Sequence, residues 1–493
     1  MCGLAGIIGF NKKDYSKAIN IITESLHHRG PDMTGYHIDK EKKIFLGHKR
    51  LSINDLSIKG KQPMVSSNGR YIIIFNGEIY NFLFLKKNYL KNINFKTKTD
   101  TEVLLEGFAS HGPEFIKLCD GMFAFVIYDL KEQKTFLFRD RCGEKPLYYS
   151  KNDQRVIFSS ELKSLIKSDD FKLEIDEESL IQYLVLKYIQ APKSILKNVY
   201  KVEPGTYIEI DKKKTIQVKR YFSYNINSNN IYSEEDFKTK SKNLEILLLD
   251  SIKDRLIADV DISCFLSGGL DSTLISFFAN KIFNKKINTF SFGVKGLFEQ
   301  ECNIAENSAK IIGSNHTSKL LSIEDLSDHI DSIEDIIDEP NGDRSILPTF
   351  LISQEVKKVN KVILSGDGAD ELFAGYNRYP LLINENKDKF FFSSIKHQER
   401  AYSYITHSLK NISLDDNKIV KEKFINSIFQ YSILFQKKIH PSQILREFDF
   451  HTYLPGSVLS KVDISSMKNS LEVRSPFLSK NILDFSMGLP IEY

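Results

Sequence analysis

The sequence predicts a chain in two parts: an α+β half of mostly antiparallel strands, then an α/β half on a doubly wound parallel sheet with added helices. Three observations carry this. Apolar runs of strand character recur at short intervals over the first 200 residues. A polar stretch, SYNINSNNIYSEED at 223–236, has loop composition. Beyond it the rhythm changes to strand, tight turn, helix, which implies parallel pairing. The expected units are therefore 1–222 and 237–493, with a linker over 223–236.

In the first unit the strand-like runs are LAGIIGF, KIFLGHKRLSI, YIIIFNGEIYNF, GMFAFVIYDL, KTFLFRDR and RVIFSSE, with helices expected over Asp100–Ser110 and Ile175–Leu186. The pattern suits a layered α+β domain, two or four layers deep. In the second unit DISCFLSGGLDSTLISFFANKIF and KVILSGDGADELFAGY each read as a strand, a turn and a helix. INTFSFGV reads as a strand and NIAENSAKIIG as a helix. From about Leu381 onward the chain is expected to be mainly helical.

Length and composition bound the function. A chain of 493 residues holds two large domains or three ordinary ones. Its 68 basic and 64 acidic residues are interspersed and leave a net charge of only +4, which gives no reason to expect nucleic acid or an anionic membrane as partner. The five cysteines, Cys2, Cys119, Cys142, Cys264 and Cys302, are odd in number and never in CxxC spacing. Disulfide frameworks and zinc sites are therefore not expected, and a reducing compartment is. No apolar run approaches the ~18 residues of a membrane span. The N-terminus lacks the basic and apolar regions of a signal peptide. A cytoplasmic, soluble protein is expected.

Cys2 is the first candidate for chemistry. Removal of Met1 would make it the N-terminal residue, and its free α-amine, titrating near pH ~8, would serve as base for its own thiol. A lone cysteine before a strand would ordinarily be a buried core residue, but its companions point elsewhere. In FNGEIYN, Asn76 offers a side-chain amide beside the Gly77 N–H, a pair suited to an oxyanion hole; alone, Asn-Gly would read as a hairpin turn. Arg50 offers a fork for a carboxylate, and Glu78 and Asp100 offer charge for an ammonium. Together they would clamp a free amino acid with its side-chain amide facing the thiol.

In the second unit FLSGGLDS lies where an apolar strand turns into a helix. Gly268 and Gly269 let backbone N–H groups approach a phosphate, while the lysine of a GxxxxGK[ST] loop is absent. SGGLDS resembles the pyrophosphate-binding loop of enzymes that cleave ATP between the α and β phosphates, and Asp271 then becomes a magnesium ligand. LSGDGADE sets Asp367, Asp370 and Glu371 within five positions at a second strand end, where carboxylates repel unless a cation or hydrogen bonds offset them.

These segments, with MCGLAGI, HRGPD, RLSINDL, QPM, DTE, RDRCGEKPLYY, SSELKSL, DEPNGDRSILPT and SKVDISSM…SLEVRSPF, occur in the order of one family. The chain resembles the glutamine-hydrolysing asparagine synthetases, in which an N-terminal-nucleophile (αββα) glutaminase is joined to an ATP-pyrophosphatase-type synthetase. The resemblance implies Cys2 as nucleophile, Asn76 and Gly77 as oxyanion hole, and Arg50, Leu51, Ser52, Ile53, Asn76, Gly77, Glu78 and Asp100 around glutamine. It implies Leu266, Ser267, Gly268, Gly269, Asp271, Ser272, Phe292, Ser365 and Gly366 around ATP, Asp271 and Asp370 at Mg2+, and Asp367 assisting adenylation. His28 and Arg29 are expected to support local structure. The substrates would be glutamine, aspartate and ATP, the assembly would allow a homodimer, and ammonia would pass between the halves through an apolar, dry interface.

Several positions depart from the family pattern: Phe84, Gly456–Ser457, Lys468 and Ser479. The chain also stops at Tyr493, where family members continue through a helical segment whose lysine contacts the nucleotide. Without it, adenylation is expected to slow by about a hundredfold to a thousandfold, so that the chain releases glutamate while making little or no asparagine, unless Lys461 or Arg474 takes the lysine's place. A related amidotransferase acting on another carboxylate, on a cell-envelope sugar or a peptide, and a chain with glutaminase activity only, are the alternative readings.

Overall fold

The structure, a computed structural model, describes residues 1–168, 171–226, 233–283, 285–296, 299–379, 441–490 and 493. Twelve strands build the first half: β1 (Gly3–Gly9), β2 (Met33–Asp39), β3 (Ile44–Arg50), β4 (Met64–Val65), β5 (Tyr71–Ile79), β6 (Gly121–Asp129), β7 (Lys134–Arg139), β8 (Tyr148–Lys151), β9 (Arg155–Ser159), β10 (Val199–Lys201), β11 (Thr206–Ile210) and β12 (Ile216–Arg220). They form two antiparallel sheets, ordered β10-β8-β9-β1-β3-β2 and β12-β11-β7-β6-β5-β4.

The alternation of side chains along each strand explains the layering. Leu4 and Ile8 of β1 meet Ile72, Ile74 and Val126 between the sheets. Ala5 and Ile7 of β1 face outward onto Ile19 and Ile22 of the helix Ser16–Glu24. On the far side Ile73, Phe75 and Phe125 pack under Leu104 and Phe108 of the helix Asp100–His111. Both faces of each sheet are covered, and the order is helix, sheet, sheet, helix. The second expected helix runs Glu177–Leu186.

Among the described residues the second half holds one parallel sheet of β13 (Ile262–Phe265), β14 (Asn288–Val294), β15 (Asn315–Leu321), β16 (Val362–Leu364) and β17 (Glu472–Arg474), in the order β15-β14-β13-β16-β17. The chain steps outward from β13 on one side and returns on the other, so β13 and β16 flank the switch point where α/β sheets bind ligands. Of the polar stretch, 227–232 lie outside the described residues, and Ser233 then caps the helix Glu234–Arg255 by accepting from the Asp236 N–H. The helical region expected from Leu381 lies outside the described residues as far as 440. From 441 the chain is indeed helical over Pro441–Phe448, Asp449–Val458 and Leu459–Met467. Among the described residues no helix is long and apolar enough to cross a membrane.

The contact between the halves departs from the apolar, dry interface expected. One part is apolar: Leu51, Ile53 and Cys142 join Ile226, Phe450, Leu454 and Phe477 in a shared core. Much of the rest is charged. Arg29 Nη2 meets Asp463 at 2.8 Å, Lys145 reaches the same carboxylate at 3.3 Å, Lys361 meets Asp32 at 2.8 Å, and Lys201 pairs with Glu339. A cavity of about 30 Å³ at this boundary is lined by Arg29, Glu161, Lys201 and Asp463 as well as Leu147, Ile189 and Ile464. Arg29 pairs there with Glu161 and Asp463, which is how buried ions are made tolerable.

Candidate active sites

Cys2 stands just before β1 and is buried. Its N–H donates to Asn76 Oδ1 at 2.9 Å, and its carbonyl accepts from Arg29 Nε at 3.1 Å. Asn76 is fully buried in β5, and with Oδ1 taken its Nδ2 has no partner among the described residues. A buried donor in that state costs about 1–3 kcal/mol unless an acceptor arrives. Asn76 and Gly77 are not a hairpin turn or the residues after a strand: β5 runs through them to Ile79, pairing Asn76 with Ala124 and Gly77 with Phe123 of β6. Glycine is required there, because a Cβ would lie 2.1 Å from the Met122 carbonyl oxygen. Burial pushes the Cys2 thiol up; the N-terminal ammonium, the Leu51 backbone and Arg50 oppose it.

The other residues expected around glutamine gather nearby with differing freedom. Leu51, Ser52 and Ile53 form the buried loop after β3; the Ser52 N–H donates to Asp32 at 2.8 Å and its hydroxyl has no partner. Arg50 closes that loop, donating to the carbonyls of Asn54, Asp55 and Ser57 at 3.0, 2.7 and 3.1 Å, so its fork is engaged with backbone here. Asp100 accepts from the Ile79 and Thr101 N–H groups, both at 2.8 Å, yet burial raises its pKa to about 6. Glu78 accepts from the Asn54 amide and faces Arg474 Nη2 at 3.4 Å. Burial first, then the Asp100 charge, pushes Glu78 well up, and Arg474 pulls it down.

Sequence reasoning assigned no role here to Glu472, Arg474 or Asp463. Glu472 receives the Met1 ammonium at 2.9 Å and Arg474 Nε at 2.7 Å, all of it buried. Their only signals were the motifs SKVDISSM for Asp463 and SLEVRSPF for Glu472 and Arg474, which extended a resemblance without saying where their side chains point. Arg474 therefore does not stand in for a nucleotide-contacting lysine; its guanidinium lies on the Glu78 side.

His28 and Arg29 do support local structure, through Glu161: His28 Nε2 lies 2.9 Å and Arg29 Nη1 3.0 Å from the same carboxylate oxygen. Burial alone would raise the Glu161 pKa, but His28 and Arg29 outweigh it and hold it at about 2. A depressed carboxyl stabilises the fold above its unfolded pKa and loses that contribution as pH falls toward the folded one. Here that is up to about 3 kcal/mol, present above pH ~4.5 and fading toward ~2. Glu161→Gln is expected to melt lower at pH 7 and to show a flatter decline between pH 5 and 3. Equal slopes for both proteins would refute this.

At the switch point a cleft of about 340 Å³ opens between the ends of β13 and β16. It brings together Leu266, Ser267, Gly269, Asp271, Ser272, Phe292, Ser365, Gly366, Asp367 and Asp370, along with Lys461 from the helix Leu459–Met467. The first loop is braced internally: the Ser272 hydroxyl accepts from the Ser267 N–H at 3.2 Å and lies 3.0 Å from the Ser267 hydroxyl. Gly268, at φ +83, makes the turn without lining the cleft; a Cβ there would lie 2.7 Å from Ile304. In the second loop the Ser365 hydroxyl donates to Asp367 at 2.5 Å and Tyr376 donates to Glu371 at 2.6 Å. Among the described residues Asp271 and Asp370 make no such side-chain contact. Burial, with Asp370 adding to it, raises the Asp271 pKa to about 6. Two hard carboxylates that repel each other fit Mg2+, whose other ligands are usually water and substrate phosphate. Among the described residues no third His, Cys, Asp or Glu completes a metal cluster.

An αββα sandwich with a cysteine buried at position 2, docked on a parallel sheet with a phosphate-type loop at its switch point, defines the class: an amidotransferase joined to a nucleotide-dependent synthetase. Residues 1–222 match the glutamine amidotransferase domain family and residues 243–493 the asparagine synthase family. Over 526 aligned residues the chain is 33% identical to asparagine synthetase [glutamine-hydrolyzing] 1 of Bacillus subtilis, covering 100% of this chain and 82% of that protein. It is 37% identical over 396 residues to putative asparagine synthetase [glutamine-hydrolyzing] 2 of Methanocaldococcus jannaschii, covering 76% of each. The chain belongs to the glutamine-hydrolysing asparagine synthetase family.

Proposed function

We propose that the chain makes asparagine from aspartate with nitrogen taken from glutamine, at the expense of ATP. The observation that carries the glutamine half is the divided Asn76 amide: one end holds the Cys2 backbone, the other is a buried donor without a partner among the described residues. The Cys2 thiolate attacks the glutamine carboxamide carbon, and the oxyanion that forms accepts from Asn76 Nδ2 and the Gly77 N–H. The α-amine freed by loss of Met1 takes the thiol proton and returns it to the leaving nitrogen. Ammonia departs, and water hydrolyses the thioester to glutamate. Arg50, Glu78 and Asp100, with the Leu51–Ile53 loop, bind the charged ends of glutamine.

In the second cleft an oxygen of the aspartate β-carboxylate attacks the α-phosphorus of ATP. The bond from that phosphorus to the bridging oxygen breaks, and its electron pair leaves with pyrophosphate. Ammonia then attacks the acyl carbon of β-aspartyl-AMP, giving asparagine and AMP. Ser267–Gly269, Ser272, Ser365 and Gly366 would cradle phosphate, Leu266 and Phe292 would line the nucleotide, and Asp367 would assist adenylation. Asp271 and Asp370 would hold Mg2+, which supplies charge neutralisation to the phosphates when bound. A cytoplasmic location goes with this reading, supported by five cysteines that are all free; a homodimer would be decided by mass in solution.

The test is direct: purified chain with glutamine, aspartate and Mg-ATP is expected to yield glutamate, asparagine, AMP and pyrophosphate. Another amide in place of asparagine would refute the acceptor. Asn76→Ala is expected to lower kcat for glutamine hydrolysis by about a hundredfold to a thousandfold, with a smaller change in KM. An unchanged kcat would remove Asn76 from the oxyanion hole.

A further inference from the structure

We propose that Arg474, a residue of the second half, is a positioning residue of the glutamine pocket: it fixes the Glu78 carboxylate that receives the substrate ammonium. The inference rests on the glutamine reading above and adds that the pocket is incomplete without the other half of the chain.

Arg474 is fully buried on β17, and its donors are divided with one purpose each. Nε donates to Glu472 at 2.7 Å, and Nη1 to the carbonyls of Arg255 and Ile257 at 2.7 and 2.9 Å. These anchors all belong to the second half. Nη2 instead reaches across the interface to Glu78 at 3.4 Å. The other Glu78 oxygen is held by the Asn54 amide, so the carboxylate is fixed from both sides. Burial and the Asp100 charge push Glu78 up, and the Arg474 guanidinium opposes them in favour of the charged form, which alone can clamp an ammonium.

The backbone of the same residue serves the other site. The Arg474 carbonyl accepts from the Ser365 N–H at 2.9 Å, at the start of the SGDGADE loop. One residue thus touches the glutamine-binding carboxylate with its side chain and the nucleotide loop with its carbonyl.

The experiment uses the full chain and follows glutamine hydrolysis and ammonia-dependent asparagine formation in parallel. Arg474→Met is expected to raise the KM for glutamine by about tenfold to a hundredfold, the effect of losing one charge-assisted contact. Its kcat is expected to stay within about threefold, because Cys2 and Asn76 are untouched. Arg474→Lys keeps the charge and is expected to recover part of the KM. It also carries the test if the methionine variant fails to fold. Glu78→Gln is expected to raise KM similarly, and adding Arg474→Met to it is expected to change little more. Additive effects in the double variant, or both activities falling together in Arg474→Lys, would overturn the proposal. If the wild-type chain hydrolyses no glutamine, the glutamine reading itself fails. If it does, and both Arg474 variants keep its KM, only this inference fails.

Discussion

Cys2→Ala is expected to abolish glutamine hydrolysis, by roughly four orders of magnitude or more, while the chain stays folded and still uses free ammonia. The fold survives because the contacts that seat residue 2 are made by its backbone, to Asn76 Oδ1 and Arg29 Nε, and alanine keeps both. Three of the other four thiols are held protonated. Cys119 and Cys264 are buried with pKa values pushed up to about 12, and burial drives Cys142 up as well, so none supplies a thiolate at neutral pH. The active wild-type protein is expected to have lost Met1, since a nitrogen in a peptide bond cannot act as base. Intact mass reads this directly. Retained Met1 in fully active protein, or glutamate release by Cys2→Ala, would place the nucleophile elsewhere.

The layers of the first half were legible because their cause is local. Runs such as YIIIF bury both faces, and no turn residues interrupt them. At Asn76-Gly77 a two-residue turn signal competes with nine residues of pairing to β6 and loses, as the strand-like run YIIIFNGEIYNF implies. The two glycine loops were placed correctly at the ends of β13 and β16, since a strand, a small-residue turn and a helix start are all written in adjacent residues. The interface was not legible. Arg29 and Asp463 are 434 positions apart, and no pattern within either segment says that they meet. Charge pairs of this kind are fixed by how the halves dock, so an expectation drawn from the chemistry of ammonia alone missed them. Glu472 and Arg474 illustrate the same limit: their motif was visible, but the side of the strand that faces Glu78 was not.

Asp271→Asn and Asp370→Asn are each expected to lower aspartate-dependent ATP–pyrophosphate exchange by about a hundredfold to a thousandfold. Both carboxylates line the cleft beside the two glycine loops, and neither is engaged as Asp367 and Glu371 are with Ser365 and Tyr376. Burial, with the Asp370 charge adding to it, raises the Asp271 pKa to about 6, so a divalent cation between the two carboxylates would offset a cost that the protein alone does not. Asparagine keeps the size of the side chain but removes one of the two charges, so the variants are expected to fold and to need more magnesium for half-maximal exchange. Glutamine hydrolysis is expected to stay within about twofold, because the thiol sits in the other half and none of its contacts runs through either aspartate. Exchange that survives both substitutions would take the metal away from this pair. Glutamine hydrolysis that collapses along with exchange would mean that the nucleotide loop governs the glutamine pocket, and the route for that coupling is already built: Ser365 hangs from the Arg474 carbonyl, and Arg474 holds Glu78.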